Sequence, residues 1–265
     1  MQPIPPETKH EVSATELIAA ISGGKFHAYS WFYKTTKPWL LADKELASYT
    51  GWLDNDEDLE YIVLKEAKCE LPAHESLFLH KLGGSTPKIG LIFYKSLLPG
   101  VLVKDTGMHD WLLINTHVGS ILIASNSRIG EINIRENSRA GNIAISDSSV
   151  MKNVRIDKNS QAGNISIYSK SQCGDVYISE NSHTWDINFE DSQVGDIAIK
   201  HNSKCANLHI RGSKVETIRI EENSEAMSVG ILGDSQCDGA FVKQGQVGEL
   251  IAGDSKISHI YFYES

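Results

Sequence analysis

The chain is short of the features that mark redox, nucleotide-binding and membrane proteins. Its 265 residues include only four cysteines, and neither a Cys-x-x-Cys nor a His-x-x-x-His spacing occurs. The ligand patterns of zinc and dithiol sites are therefore missing. No Walker A, Gly-x-Ser-x-Gly or Gly-x-Gly-x-x-Gly motif is present, which removes phosphate-cradling loops and the nucleophile elbow. There is no apolar run of the ~18 residues that a membrane-spanning helix needs. Positive charge is scarce: 25 Lys and Arg against 34 Asp and Glu give a net charge of −9. That balance disfavours binding along a nucleic-acid backbone. Met1 to Glu7 carry neither the basic stretch nor the apolar core of a secretory signal. The expected compartment is the cytoplasm, where unpaired thiols stay reduced. With 41% hydrophobic and 22% charged residues, the chain is expected to fold.

What is present is a repeat. From Lys95 onward the chain divides into sixteen units of 10 to 12 residues, starting at Lys95, Asp105, Asn115, Asn126, Asn137, Ser148, Asn159, Lys170, Asn181, Asp191, Asn202, Gly212, Asn223, Asp234, Gln244 and Asp254. A representative unit is Asn137-Ser-Arg-Ala-Gly-Asn-Ile-Ala-Ile-Ser-Asp147. Position 2 is Ser or Thr in fifteen of the sixteen units, Gly245 being the exception. Positions 7 and 9 are apolar in every unit, as in Ile132/Ile134 and Ile218/Ile220, while position 8 between them varies freely. Period-two alternation over a few residues, followed by Asn, Ser, Gly or Asp, predicts a short β-strand with one buried face and then a turn.

Asn opens alternate units at Asn115, Asn137, Asn159, Asn181, Asn202 and Asn223. Alternate units are therefore expected to lie directly above one another, with 21 or 22 residues per coil and an Asn side-chain ladder at the corner. Sixteen units make eight coils, a rod about 38 Å long at ~4.8 Å per coil. Position 4 is small or apolar in most units (Ala140, Ala162, Cys173, Val194, Cys205). With positions 2 and 4 both inward, each coil would be four-sided. The repeated Gly-Asn-Ile-x-Ile and Gly-Asp-Ile-x-Ile segments, such as Gly163–Ile167 and Gly195–Ile199, resemble the parallel β-helix (β-solenoid) proteins. The four-sided coil loosely resembles the pentapeptide-repeat quadrilateral, without its five-residue spacing. The resemblance covers about two-thirds of the chain and implies an all-β, single-stranded parallel solenoid, with a right-handed wind as the expectation.

The expected organisation is an N-terminal cap over 1–60, irregular first coils over 61–94 and the solenoid over 95–265. Ser13-Ala-Thr-Glu16 reads as a capping box for a helix near 14–22. Strands are expected near 26–34, 60–65 and 76–82, and the aromatics between Phe26 and Trp52 are read as a cap core. At the other end, Ile260-Tyr261-Phe262-Tyr263 would be an exposed edge, which natural sheets rarely leave bare. These four residues are the expected interface of a homo-oligomer.

Few residues suggest chemistry. The repeat places Cys173, Cys205 and Cys237 inward and too far apart for a disulfide or zinc site. The ten histidines are scattered. The loop Asp54-Asn55-Asp56-Glu57-Asp58 resembles an EF-hand opening but has Leu59 and Lys65 where Gly and Glu belong. No metal or cofactor is expected. Position 6 of one unit class reads Asp110, Glu131, Asn153, Asp175, Asp196. Asp175 and Asp196, stacked about 5 Å apart, together with Glu131, are the candidates for acid–base work on a carbohydrate, as the resemblance to β-helix lyases and hydrolases implies. Turn chemistry accounts for the same residues. Asp175, Glu180, Asp186, Glu190, Asp191 and Asp196 also form a stretch without Lys or Arg that could dock a basic partner. Because the units barely vary in length, no long loops remain to wall a catalytic groove. The favoured reading is a non-catalytic, self-associating scaffold. A carbohydrate-active enzyme and an acidic decoy for a basic or DNA-binding protein are the rivals.

Overall fold

A computed structural model describes residues 10–11, 32–36, 44–52, 59–69, 76–80 and 89–263. The expected helix near 14–22 and the Asp54–Asp58 loop lie outside these residues. Among the described residues no helix is long and apolar enough to cross a membrane.

The molecule is an all-β parallel solenoid of about eight turns of roughly 21 residues. Register follows the sequence period: Ile132 pairs with Val154, Val154 with Val176, Val176 with Ile197, and Ile197 with Ile218. On the opposite sheet Ile143, Ile165, Ile187 and Leu208 stack in the same way. Positions 7 and 9 from both sheets fill one continuous core, in which residues such as Ile165, Ile167, Ile187 and Ile197 have no exposed surface. Each such side chain contributes ~1.5–3 kcal/mol by burial. No coil can close its core alone, so stability is a sum of stacking terms.

Positions 2 and 4 also face inward, making the four-sided coil. In the early coils a unit gives two short strands, His117–Val118 and Ile121–Ala124; in later coils these merge into eight-residue strands such as Lys204–Arg211. The buried position-2 hydroxyls form two ladders up the corners. In one, Ser138, Ser160, Ser182 and Ser203 each donate a backbone N–H to the hydroxyl one coil on, at 3.1–3.2 Å. The hydroxyls in turn satisfy carbonyls, as Ser138 Oγ does for Leu113 at 3.1 Å. Most corner groups that would otherwise be buried without partners are thereby paired, the Ser171 and Ser255 hydroxyls being exceptions among the described residues.

The Asn ladder expected at position 1 is replaced by a backbone requirement. Position 1 is left-handed in every unit, including Asn115 (φ 49°), Asp191 (φ 50°) and Gly212 (φ 57°). Asn is enriched there because it tolerates that conformation. Unit length follows from the same feature. Ten-residue units close on one left-handed residue, as at Asp191, whereas eleven-residue units close on two, as at Glu136–Asn137 and Lys158–Asn159.

At the N-terminal end, Phe32–Thr36 pairs antiparallel with Glu60–Lys65, occupying that edge of the larger sheet. Leu46, Tyr49 and Leu59 also do more than cover an end. Leu46, Leu59 and Tyr49 pack on the outward apolar side chains Val63, Ile92, Leu112 and Ile114, forming a second core on the flank of the sheet. Position 8 is thus buried in these coils, at Leu112 and Asn133, although the sequence reads it as solvent-facing throughout.

Candidate functional site

The acid column is a hydrogen-bond ladder. Asp110 Oδ1 accepts the Glu131 N–H at 2.7 Å, Asn153 Oδ1 that of Asp175 at 2.8 Å, and Asp175 Oδ1 that of Asp196 at 2.9 Å. Asp196 Oδ1 then accepts the Thr217 hydroxyl at 2.5 Å. On the other sheet Asn142 Oδ1 accepts the Asn164 N–H at 2.9 Å, and Asn207 Nδ2 donates to Asp186 Oδ1 at 2.8 Å. At Glu131, Asn142, Asn164, Asp175 and Asp196 a glycine precedes the rung and makes room for the side chain of the coil beneath. A Cβ on Gly130, Gly163 or Gly195 would lie 2.2, 2.4 or 2.4 Å from the side-chain oxygen of the coil beneath. This is the physical content of the repeated Gly-Asn-Ile and Gly-Asp-Ile segments: Gly admits the side chain that satisfies the next N–H.

Both candidate carboxylates are committed within this ladder. Asp175 Oδ2 accepts the Tyr177 hydroxyl at 2.6 Å, while burial and this carboxylate push the phenol up to about 12. Asp196 lies 3.7 Å from the Arg219 guanidinium, and Glu131 accepts from Arg155 Nε at 3.1 Å. Burial works against the charge of Asp110, yet His109 and the Glu131 N–H outweigh it and hold the carboxyl below its usual range.

The remaining acids are not brought to one face. Asp175 and Asp196 belong to the larger sheet, whereas Asp186 and Glu190 lie on the strand His183–Glu190 of the nine-stranded sheet. Glu180 and Asp191 occupy exposed corners. Cys173 stacks through Val194 and Val215 to Cys237, three coils away, and Cys205 is on the opposite sheet. All four thiols are free and buried, and burial pushes Cys173 and Cys205 up to about 12.

The last coil exposes apolar surface. Ile260, Tyr261, Phe262 and Tyr263 are 42%, 40%, 63% and 51% exposed. Tyr261 stacks on Phe241, its partner one coil earlier, at 5.2 Å, and lies nearly parallel to Tyr263 on its own strand and to His259 just before that strand. Beside this row a concavity of about 630 Å³ is lined by Met227, Val242, Val247 and Phe262. Gly245 lies at its wall, the one unit where the corner hydroxyl is missing.

Sequence reasoning missed three features. Asn133 is fully buried with no partner for its amide among the described residues, beside the buried Arg135 Nε–Asp157 Oδ1 pair at 2.8 Å. Burial pushes the Asp157 carboxyl up to about 6, against the pull of Arg135. Trp185 and Met227 are the largest outward apolar side chains away from the last coil. Their signal was legible: both stand at position 5, where neighbouring coils have Gly.

These features define a repeat protein of the parallel β-solenoid class. No protein-family model, no curated protein and no solved structure matches the chain.

Proposed function

We propose that the protein is a non-catalytic scaffold that pairs with a second copy of itself through its last coil. The carrying observation is the edge Ile260–Tyr263, uncharged and apolar over four residues, with its side chains 40–63% exposed. It has none of the lysines, prolines or bulges that protect natural edges. The opposite end of the same sheet terminates in the antiparallel strand Phe32–Thr36, which does not continue the parallel coil stacking, so head-to-tail growth is disfavoured and closed two-fold pairing favoured. The size is sufficient. Each side of the four-sided coil is about four residues, or ~13 Å, long, and outward side chains on both faces bring the end to ~23–24 Å across. That end presents about 550 Å² per copy, or about 1,100 Å² for a pair, above the ~1,000 Å² a specific interface needs. Against catalysis stands the use of Asp175 and Asp196 as rungs of the ladder.

Sedimentation velocity at tens of micromolar tests the proposal. The wild-type chain is expected to run as a dimer and Phe262→Asp as a monomer with an unchanged circular dichroism spectrum. A monomeric wild type, or a variant that pairs equally well, overturns it.

A further inference from the structure

We infer that the corner carrying Trp185 is a docking site that takes a basic, arginine-bearing segment of a partner protein. Trp185 is 72% exposed and Met227 62% exposed. The register Thr184–Cys205–Ala226–Val247 stacks Trp185, Ala206, Met227 and Gly248 in one column. In the coils on the N-terminal side this column holds Gly119, Gly141 and Gly163, where a Cβ would meet atoms of the coil beneath at 2.4–2.9 Å. Trp185 breaks that rule, and the ladder loosens around it. The Asp186 N–H is 3.2 Å from Asn164 Oδ1, whereas the Asn164 N–H is 2.9 Å from Asn142 Oδ1 one coil earlier. A large ring is held outward at a position that the fold itself would fill with glycine, so packing does not account for it.

The column has the spacing of a slot. Trp185 and Met227 are two coils apart, ~9.6 Å at ~4.8 Å per strand, with the small, half-buried Ala206 between them. A flat group touching a side chain on each side needs ~7–8 Å between them, at ~3.5–4.0 Å per contact. The planar guanidinium of arginine fits, and it stacks on an indole more favourably than the compact ammonium of lysine. Charge selects the same partner. Residues 171–199 contain six Asp and Glu and no Lys or Arg; they spread over two sheets, but Asp186 and Glu190 share the strand of Trp185, and Glu180 and Asp191 stand at the turns on either side of it. Of these acids, Glu180, Glu190 and Asp191 are exposed, and no ion pair engages them among the described residues. Asp186 adjoins Trp185 directly. The Lys204 ammonium of the next coil is held by Glu225 at 2.8 Å, which limits its repulsion of an incoming cation.

Fluorescence anisotropy with a fluorescein-labelled nona-arginine peptide at ~150 mM salt tests the site, with nona-lysine as the comparison. Saturable nona-arginine binding is expected, with nona-lysine several-fold weaker. Trp185→Ala should weaken nona-arginine binding at least about tenfold, as loss of a desolvated cation–π contact does. Trp185→Phe should retain most of it, and Met227→Ala should lose several-fold. Trp185 is exposed, so these variants are expected to keep the wild-type melting temperature. Trp185→Ala should sediment like the wild type, which separates this site from self-pairing. The inference is overturned by absent or non-saturable binding, by Trp185→Ala binding like the wild type, or by nona-lysine binding equally well. A loss of pairing in Trp185→Ala without a change in peptide affinity also overturns it, since a second copy would then cover the corner.

Discussion

Replacing Gly195 by Ala puts a methyl group where the Asp175 carboxylate passes. A Cβ there would lie 2.4 Å from Asp175 Oδ1 and 3.2 Å from the Gly174 carbonyl. Non-bonded heavy atoms settle at ~3.5 Å, so the carboxylate has to withdraw by about 1 Å. That displacement breaks the 2.9 Å bond it accepts from the Asp196 N–H. A hydrogen bond to a charged group contributes ~1.5–3 kcal/mol. Alanine recovers ~0.4–1 kcal/mol by restricting the unfolded chain, because Gly195 is not among the positive-φ glycines. The expected net loss is ~0.5–2.5 kcal/mol. Asp175→Ala leaves the same N–H without its acceptor and removes the partner of the Tyr177 hydroxyl, a loss of ~2–3 kcal/mol. If rung and gap are one feature, the double variant should be no less stable than Asp175→Ala alone, a coupling of ~0.5–2.5 kcal/mol. Urea unfolding followed by circular dichroism measures the cycle, with transition midpoints compared because stacked coils need not unfold in two states. Additive losses would show that Gly195 and the carboxylate act independently. A Gly195→Ala midpoint equal to the wild type would refute the ladder account altogether.

Two further perturbations probe the coil and its core. Ile165→Asp places a charge in a core with no exposed surface at that residue and is expected to abolish soluble folded protein, whereas Ser166→Asp on the outer face should change stability by about 0.5 kcal/mol or less; thermal melts of the two variants check the contrast. The thiols, with Cys69 pushed up to about 11 and Cys173 and Cys205 up to about 12 by burial, should react with a disulfide reagent at pH 8 only slowly in the native protein and fully in guanidinium. Rapid native labelling of Cys173 would show that its coil opens locally.

The parts of the fold legible in the sequence are those written at fixed spacing on one strand. Ile165, Ile187 and Leu208 announce a buried column because each opens its own apolar-x-apolar frame (Ile-x-Ile, Ile-x-Phe and Leu-x-Ile), and register follows once the 21- or 22-residue period is found. What was not legible depends on contacts between coils or on a distant cover. Asp175 at a turn reads as turn chemistry or as half of a catalytic pair, since nothing local says that its oxygen reaches the N–H of Asp196 past Gly195. The position-1 Asn residues were assigned the ladder for the same reason: a repeated residue marks a constraint without naming the atom it serves. Here the atom is backbone, as Lys170 (φ 62°) and Gln244 (φ 51°) show by adopting the same left-handed turn at a cost of ~1–2 kcal/mol each. Leu112 is buried in a cluster with Leu46 and Leu59 from far earlier in the chain, a relation without any period. Trp185 is the instructive intermediate case. Its departure from the Gly column is visible in the alignment of units, but its meaning appears only when the Cβ contacts show that glycine is what the packing prefers. In a repeat protein, then, positions that obey the period report on folding, and a residue that violates it against the local packing is where a role beyond folding should be sought.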